Sequence, residues 1–315
     1  GKNGVQALSI VKDRTGIYFD STQMSDLEIL INQTENDNHN QKARQIIEKI
    51  RSNGITKYNQ NCIAIKVDQF AESTNILVID QTFGDQSIQY AGASAQTFKL
   101  MLKQALEDHP NATIWIKTHP DVVAGKAKGH YDASDFAHSR VKVMTEPYNP
   151  YELLYYIDEV YVVSSHFGFE ALMRGNPVKC FGVAWYTGWG LTCDDHAPLD
   201  LIQGRRGQGR TLEHLFHAAY MQYAVYVSPV TGQKCEIETI LEILITNLQF
   251  QKRLSGDKSA YGFSGWKKKF IRDFLNFQNS DIHFYRFTLP SQKLPVIAWG
   301  KKAKLLLSKN YKDVW

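Results

Sequence analysis

From Asn75 to Phe181 the chain alternates short apolar, β-branched runs with stretches whose apolar residues recur at helical spacing. Strands are predicted at Ile76–Ile79, Thr113–Ile116, Val141–Met144, Val160–Val163 and Val178–Phe181. Helices fit Ala95–Glu107, Pro150–Tyr156, Phe169–Arg174, Leu212–Tyr223 and Glu236–Leu248. Mostly apolar strands that alternate with helices imply a parallel sheet covered on both faces, an α/β fold of Rossmann type. Before this region, GKNGVQALSIVKDRTGIYFD reads as a short strand pair turning at Asp13 to Gly16. Ser25-x-x-Glu28 is a capping box for a helix carrying Leu27, Leu30 and Ile31, and a second helix with Ala43, Ile46, Ile47 and Ile50 stops at Gly54. After it, FSGWKKKFIRDFLNF places Trp266, Phe270, Phe274 and Phe277 on one helical stripe among Lys267, Lys268, Lys269 and Arg272. That stripe is expected to pack on the body of the protein, with contact to anionic lipid as the alternative. PVIAWG at Pro295 to Gly300 reads as another strand, followed by a helix.

Composition narrows the class. A 315-residue chain with 43% hydrophobic and 22% charged residues reads as a soluble globular protein with room for two compact units or one large α/β unit. No apolar run approaches the roughly 20 residues that span a bilayer, and no signal peptide opens the chain, so a cytoplasmic location is expected. The four cysteines have no C-x-x-C spacing and read as reduced thiols. The net charge of +4 is uneven: residues 252–315 hold 14 Lys/Arg against 4 Asp/Glu, a surplus of +10, and leave the first 251 residues at −6. A basic tail could favour an anionic membrane surface or nucleic acid, and could equally be a solvated face. No RNA-binding signature accompanies it, and nucleic acid is not expected as a partner.

The candidate chemistry lies where the strands end, because ligands of such sheets bind beyond the carboxyl ends. The first strand runs into Gln81-Thr82-Phe83-Gly84-Asp85, the second into Lys117-Thr118-His119-Pro120-Asp121 and the third into Thr145-Glu146-Pro147. The fourth runs into Ser164-Ser165 and the fifth into AWYTGWG. Ser164 and Ser165 stand where a strand hands over to a helix N-terminus, whose unpaired amides and dipole bind anions, and Gly168 would let a ligand approach the backbone. Trp185, Tyr186 and Trp189 could wall a pocket. A nucleotide-sugar fits these groups: the helix N-terminus, two hydroxyls and a protonated His119 would take up charge on a departing phosphate without a metal. Asp85 would act at the anomeric carbon as nucleophile, giving retention, or as general base, giving inversion.

Each group has a plainer role available. Asp85 could cap the next helix, His119 could be a structural hydrogen-bonder, and the serines could be an ordinary N-cap. Cys193-Asp194-Asp195-His196 cannot easily surround one ion, and no metal is expected. Gly204-Arg205-Arg206-Gly207-Gln208-Gly209-Arg210 is no phosphate loop, since no strand leads into it. It reads as a flexible basic loop, or one that steers an anion.

Taken together, QTFGDQSI, KTHPD…AGKAKGH, SSHFGFEAL–RGNPV–CFG, WYTGWGLT and YAVYVSPVTGQKCEIE resemble the KpsC-type capsule polysaccharide β-Kdo transferases over nearly the whole chain. The resemblance implies a GT-B arrangement of two Rossmann-like halves. It divides the chain into a remainder of the acceptor-side half (1–72), a CMP-sugar-binding half (73–250) and a basic helix with the start of a following strand-helix unit (251–315). It implies transfer of Kdo, an eight-carbon acidic ketosugar, from CMP-β-Kdo with retention to a lipid-linked Kdo acceptor. No cofactor is implied, and the implied partners are the anionic inner membrane and capsule assembly and export proteins. Carried over by motif, Asp85 is the catalytic carboxylate, with His119 beside it. His119, Pro120, Ser164 and Ser165 bind the CMP phosphate, Glu146 contacts ribose or cytosine, and Gln81, Lys117 and Gly168 complete the site. Lys117, Lys126, Arg174 and Arg205 are candidates to hold the Kdo carboxylate. Two departures stand out: the family's upstream E-D-G motif is missing, and Cys193 interrupts its run of Thr and two acidic residues. With PVIAWGKK resembling the opening of a next module, the expectation is a segment of a longer tandem enzyme.

Overall fold

Five runs that bury side chains on both faces assemble into one parallel sheet. The computed structural model describes residues 7–57, 62–70, 74–275 and 281–314. In chain order the first unit comprises β1 (Ser9–Val11), α1 (Asp26–Ile31), α2 (Asp37–Ser52), β2 (Asn75–Ile79), α3 (Gln86–Tyr90), α4 (Ala95–Asp108) and β3 (Thr113–Lys117). It continues through α5 (Pro120–Val123), α6 (Ala133–Phe136), β4 (Val141–Met144), α7 (Pro150–Leu153), β5 (Glu159–Val162), α8 (Phe167–Arg174) and β6 (Val178–Cys180). α9 (Leu212–Phe216), β7 (Ala224–Val227), β8 (Lys234–Cys235) and the start of α10 (Ile237–Leu254) complete it.

The sheet order is β4-β3-β2-β5-β6, every pair parallel. All five strands lie where the apolar runs put them, to within two residues. Ile76, Val78, Ile114 and Ile116, spaced two apart, point to one face and pack with Phe98, Met101, Leu102 and Ala105 of α4. The order carries a functional consequence. Leaving β2, the chain moves outward through β3 and β4, then returns to lay β5 on the other side of β2. The crevice of the sheet therefore opens between the ends of β2 and β5.

Several expectations fail for identifiable reasons. Among the described residues the expected hairpin around Asp13 to Gly16 is absent: β1 pairs antiparallel with β7, Ser9 opposite Tyr226 and Val11 opposite Ala224. The Asp13 carboxylate shapes the following turn instead, accepting from the amides of Thr15, Gly16 and Asp26 and from the Tyr223 hydroxyl. The helix expected over 212–223 stays α only to Phe216 and widens into a π-helix over His217–Tyr223. The wider turn goes with Tyr220 stacked on Phe216, ring centroids 4.5 Å apart.

The AWYTGWG segment is core. Trp185, Tyr186 and Trp189 are buried, and Trp189 Nε1 donates to the Trp185 carbonyl at 3.0 Å. The arginine loop is likewise anchored. Arg206 pairs with buried Glu28 (Nε to Oε2, 2.8 Å) and donates to the carbonyls of Ala184 and Thr187, while Arg205 lies 3.2 Å from the other Glu28 oxygen. Arg210 donates to the carbonyls of Ile31 and Asn32. Asp194, beside Cys193, serves the same region by accepting from the Gly188 amide and the Thr192 hydroxyl.

The second unit spans residues 242–315. It contains the rest of α10, then β9 (Lys258–Tyr261), α11 (Gly265–Leu275), β10 (Ile282–Tyr285), β11 (Val296–Ala298) and α12 (Lys301–Ser308), with sheet order β10-β9-β11, all parallel. The aromatic stripe of α11 does not pack inward as expected. Phe263, Ile271 and Leu275 meet the sheet, whereas Trp266 and Phe270 are exposed. Phe277 and the side chain of Phe274 lie outside the described residues. No described helix is long and apolar enough to cross a membrane.

Candidate active site

Gln81 leaves the end of β2 and ties it to β5. Its Oε1 accepts from the Ser164 amide at 3.1 Å, and its Nε2 donates to the Ser164 hydroxyl at 3.2 Å. That hydroxyl also lies 3.1 Å from the Ser87 hydroxyl in the first turn of α3. Ser87 in turn donates its amide to Asp85 Oδ1 at 2.9 Å, which makes Asp85 the N-cap of α3. Asp85 itself is exposed, at the end of a turn in which Gly84 takes φ +84° with nothing near its missing Cβ. A continuous chain of hydrogen bonds thus runs from Asp85 through Ser87 to Ser164, across the β2/β5 crevice.

On the β3 side, His119 caps α5, its Nδ1 accepting the Asp121 amide at 3.1 Å, with Pro120 in the first helical position. A neutral ring bonded this way carries its proton on Nε2. Burial lowers the His119 pKa; the charges of Asp121 and Asp85 oppose the shift, and those of Lys57 and Lys117 add to it. The shift favours the neutral imidazole, whose Nε2–H is left to donate. Lys117, at the end of β3, is also lowered by burial, against the charges of Cys62, Glu146 and Glu170. Glu146 folds back so that Oε2 accepts from the Thr145 amide.

Ser165 Oγ accepts from the Phe167 amide at 3.3 Å, and its carbonyl accepts from Gly168. The hydroxyl proton is left to donate. Beneath this corner the buried Tyr186 hydroxyl donates to the same carbonyl at 2.6 Å. A Cβ added at Gly168 would stand well inside van der Waals contact with that phenol oxygen and against Val162. The glycine makes room for Tyr186. Gly168→Ala is expected to cost about 1–3 kcal/mol as overpacking, read by chemical denaturation, whereas Gly→Ala elsewhere in a helix stabilises.

Three residues that the sequence reading did not single out belong to this corner. His166 Nε2 lies 2.9 Å from the Tyr220 hydroxyl, supplied by the π-helix, and burial with the Lys57 charge pushes the imidazole down to about 4. Glu170, buried in α8, accepts the Lys57 amide at 3.3 Å, and burial raises its pKa to about 7 against the charges of Lys57 and Lys117. Only Glu170 had a visible signal, as the acid inside an apolar helix.

A carboxyl with a raised folded pKa binds its proton more tightly when folded. Its contribution is present below the unfolded value, near 4.5, and is lost as pH rises through about 7. Glu170→Gln should therefore flatten the fall in stability between pH 5 and pH 8, by up to about 3 kcal/mol. Denaturation curves at the two pH values check this.

Of the four candidates for a sugar carboxylate, two are placed elsewhere. Arg205 is held by Glu28 and by the carbonyls of Ser21 and Leu201. Arg174 lies in the last turn of α8, with its guanidinium over the Tyr155 ring, about 12 Å along the helix from the serine corner. Lys117 and Lys126 remain. Among the described residues no group of three or more His, Cys, Asp or Glu is arranged to hold a metal ion.

The family model for capsule polysaccharide biosynthesis proteins matches residues 42–226. Capsule polysaccharide modification protein LipA of Neisseria meningitidis serogroup A is 39% identical over 320 residues, covering 99% of this chain and 45% of the relative. The chain therefore spans about half the length of that relative. Among solved structures, KpsC of Thermosulfurimonas dismutans, beta Kdo 2,4 transferase, is 38% identical with a TM-score of 0.70 over 77% of this chain and 74% of that one. The beta Kdo 2,7 transferase of the same organism is 29% identical with a TM-score of 0.59, covering 76% and 72%.

Proposed function

Because this chain belongs to the capsule polysaccharide biosynthesis protein family, we propose that it is a retaining glycosyltransferase module that moves Kdo from CMP-β-Kdo to a glycolipid acceptor. The observation that carries the reading is the hydrogen-bonded run from Asp85 through Ser87 to Ser164 across the β2/β5 crevice. It holds a carboxylate beside two hydroxyls at a helix N-terminus. The likeness to the two KpsC structures, each a beta Kdo transferase, supports the sugar.

In this reading the CMP phosphate sits at the start of α8. Ser164, Ser165 and the Nε2–H of His119 donate to its oxygens, the donors on which departing charge is best placed. Pro120 fixes the His119 turn, and Glu146 faces the ribose or the base. Lys117 or Lys126 holds the Kdo carboxylate. Asp85, with Oδ1 fixed by Ser87, attacks the anomeric carbon through Oδ2. The bond from that carbon to the phosphate oxygen breaks, and CMP leaves with the electron pair. An acceptor hydroxyl then attacks the glycosyl ester, giving its proton to the CMP phosphate, and the carbon–aspartate bond breaks to regenerate the carboxylate; two inversions give net retention. The acceptor is a lipid-linked Kdo at the cytoplasmic face of the inner membrane, where capsule assembly and export proteins are the expected partners.

The test is incubation with CMP-β-Kdo and a Kdo-terminated glycolipid, followed by NMR of the new linkage. A β linkage is expected. An α linkage would assign inverting chemistry with Asp85 as base, and bound CMP without product would mark a non-catalytic module.

A further inference from the structure

The residue that leads from β2 into the site is itself a buried acid. Asp80 is 4% exposed, and its amide donates to the Lys117 carbonyl, which carries the β2–β3 pairing one residue past β2. Its Oδ1 accepts two further amides, that of Gln81 at 2.9 Å and that of His130 at 3.0 Å. Against Oδ2 the chain passes at Gly129, where an added Cβ would stand far inside van der Waals contact with that oxygen. The backbone of Gly129 lies outside the left-handed region, so what a side chain there would disturb is this close approach to the carboxyl.

The segment that Asp80 holds returns to the loop that carries Asp85. The Lys128 carbonyl accepts the Phe83 amide at 2.7 Å. Between these two ties the His130 ring lies flat on Phe98 of α4, with centroids 3.9 Å apart and 1° between the planes, and the Phe83 ring is 5.5 Å away on the loop. Residues 80–83 and 128–130 are thus laced together at both ends. Beyond Phe83 the chain turns through Gly84 and Asp85, both exposed, so the position of the Asp85 carboxylate is set at the base of its loop. We infer that Asp80 is a positioning residue: by gathering the amides of Gln81 and His130 it fixes the base of the 81–85 loop against the 128–130 segment and so sets where Asp85 stands. Its effect on rate rests on the reading of Asp85 as the nucleophile; its hold on the loop does not.

A charged acceptor makes hydrogen bonds roughly twice as strong as a neutral one, so the ionised carboxyl holds the loop best. The charged and titratable groups around Asp80 are Lys99 from α4, Asp135 from α6, and the adjoining His130 and Tyr131. Lys99 is engaged by Asp132 and Asp135. Burial raises the Asp80 pKa to about 6, against the two amides and the Lys99 charge. Because the folded value lies above the unfolded one, near 3.8, this group's contribution to stability is present below the unfolded value and lost as pH rises through about 6. The ionised form therefore orders the loop at a cost to the fold, and removing the charge should move activity and stability in different directions.

The test compares the full native chain with Asp80→Asn, which keeps one acceptor oxygen without the charge, and Gly129→Ala, which keeps the charge and blocks the approach. Hydrogen–deuterium exchange near neutral pH should speed up at least about threefold at the amides of 81–85 and 128–130 in both variants, with α4 unchanged. Kdo transfer should fall at least about tenfold in kcat with CMP affinity within about threefold, because the Ser165 corner is held separately by Tyr186. The native kcat should decline as pH drops through about 6, and Asp80→Asn should lack that limb. At neutral pH Asp80→Asn should unfold at no lower denaturant concentration than the native chain. Unchanged exchange in both variants would overturn the inference whether or not the chain transfers Kdo. So would faster exchange with undiminished kcat, the same pH profile in the native chain and Asp80→Asn, or a loss of CMP affinity as large as the loss of transfer. Faster exchange in the variants of a chain that transfers no Kdo would support the hold on the loop and count against the reading of Asp85 instead.

Discussion

Asp85→Asn is expected to lower Kdo transfer by at least about 10⁴-fold while leaving CMP affinity within about threefold. The split follows from position. The carboxylate caps α3 through Oδ1, and an asparagine oxygen accepts the same Ser87 amide, so the loop and its link to Ser164 persist. What the amide lacks is a negative oxygen able to form a glycosyl ester. Asp85→Ala removes the cap as well and should add about 1 kcal/mol of instability that the asparagine variant does not show. Transfer rates and CMP titration on both variants separate chemistry from folding. If Asp85→Asn retains substantial transfer, the carboxylate is only a helix cap.

The second large effect concerns support. Glu28 is buried in α1 and faces the guanidinium of Arg206, itself buried, with Arg205 beside it. Glu28→Gln keeps the shape and leaves that cation without a counter-charge, a loss of about 3–5 kcal/mol. Arg206 also donates to the carbonyls of Ala184 and Thr187, which flank Tyr186, the residue whose hydroxyl holds the Ser165 carbonyl. The variant should therefore unfold at markedly lower denaturant, and its CMP affinity should fall even where it is still folded. A change under 1 kcal/mol would mean that water reaches the pair and screens it.

How much of this was legible in the residues depends on what each feature answers to. The strands were legible because a strand buried on both faces must be apolar throughout, and Ile76 to Ile79 or Val160 to Val163 permit little else. Their order was not: nothing local in β5 says that it returns beside β2, and that return creates the crevice. Gln81, Asp85, His119 and Ser164 could be read as strand ends, yet the bridge from Asp85 to Ser164 runs through Ser87, an ordinary helix-start serine. Aromatic residues between glycines resemble a ligand wall, but Trp185, Tyr186 and Trp189 are buried; the glycines serve the tight path of the chain around them. Arginines between glycines resemble an anion loop, and their partner, Glu28, is too distant in sequence to be seen. The α11 stripe misled in the opposite direction. Helical spacing of Trp266 and Phe270 says that they share a face, but not that the face is covered.

The claim on which the account rests is that the ends of β2, β3 and β5 form one CMP cradle. Calorimetric titration of CMP into the native chain and into His119→Ala, Ser165→Ala and the double variant tests it most directly. The account predicts saturable binding, weakened about tenfold by each single change and further by both. No binding by the native chain, or the same affinity in all four proteins, would contradict it.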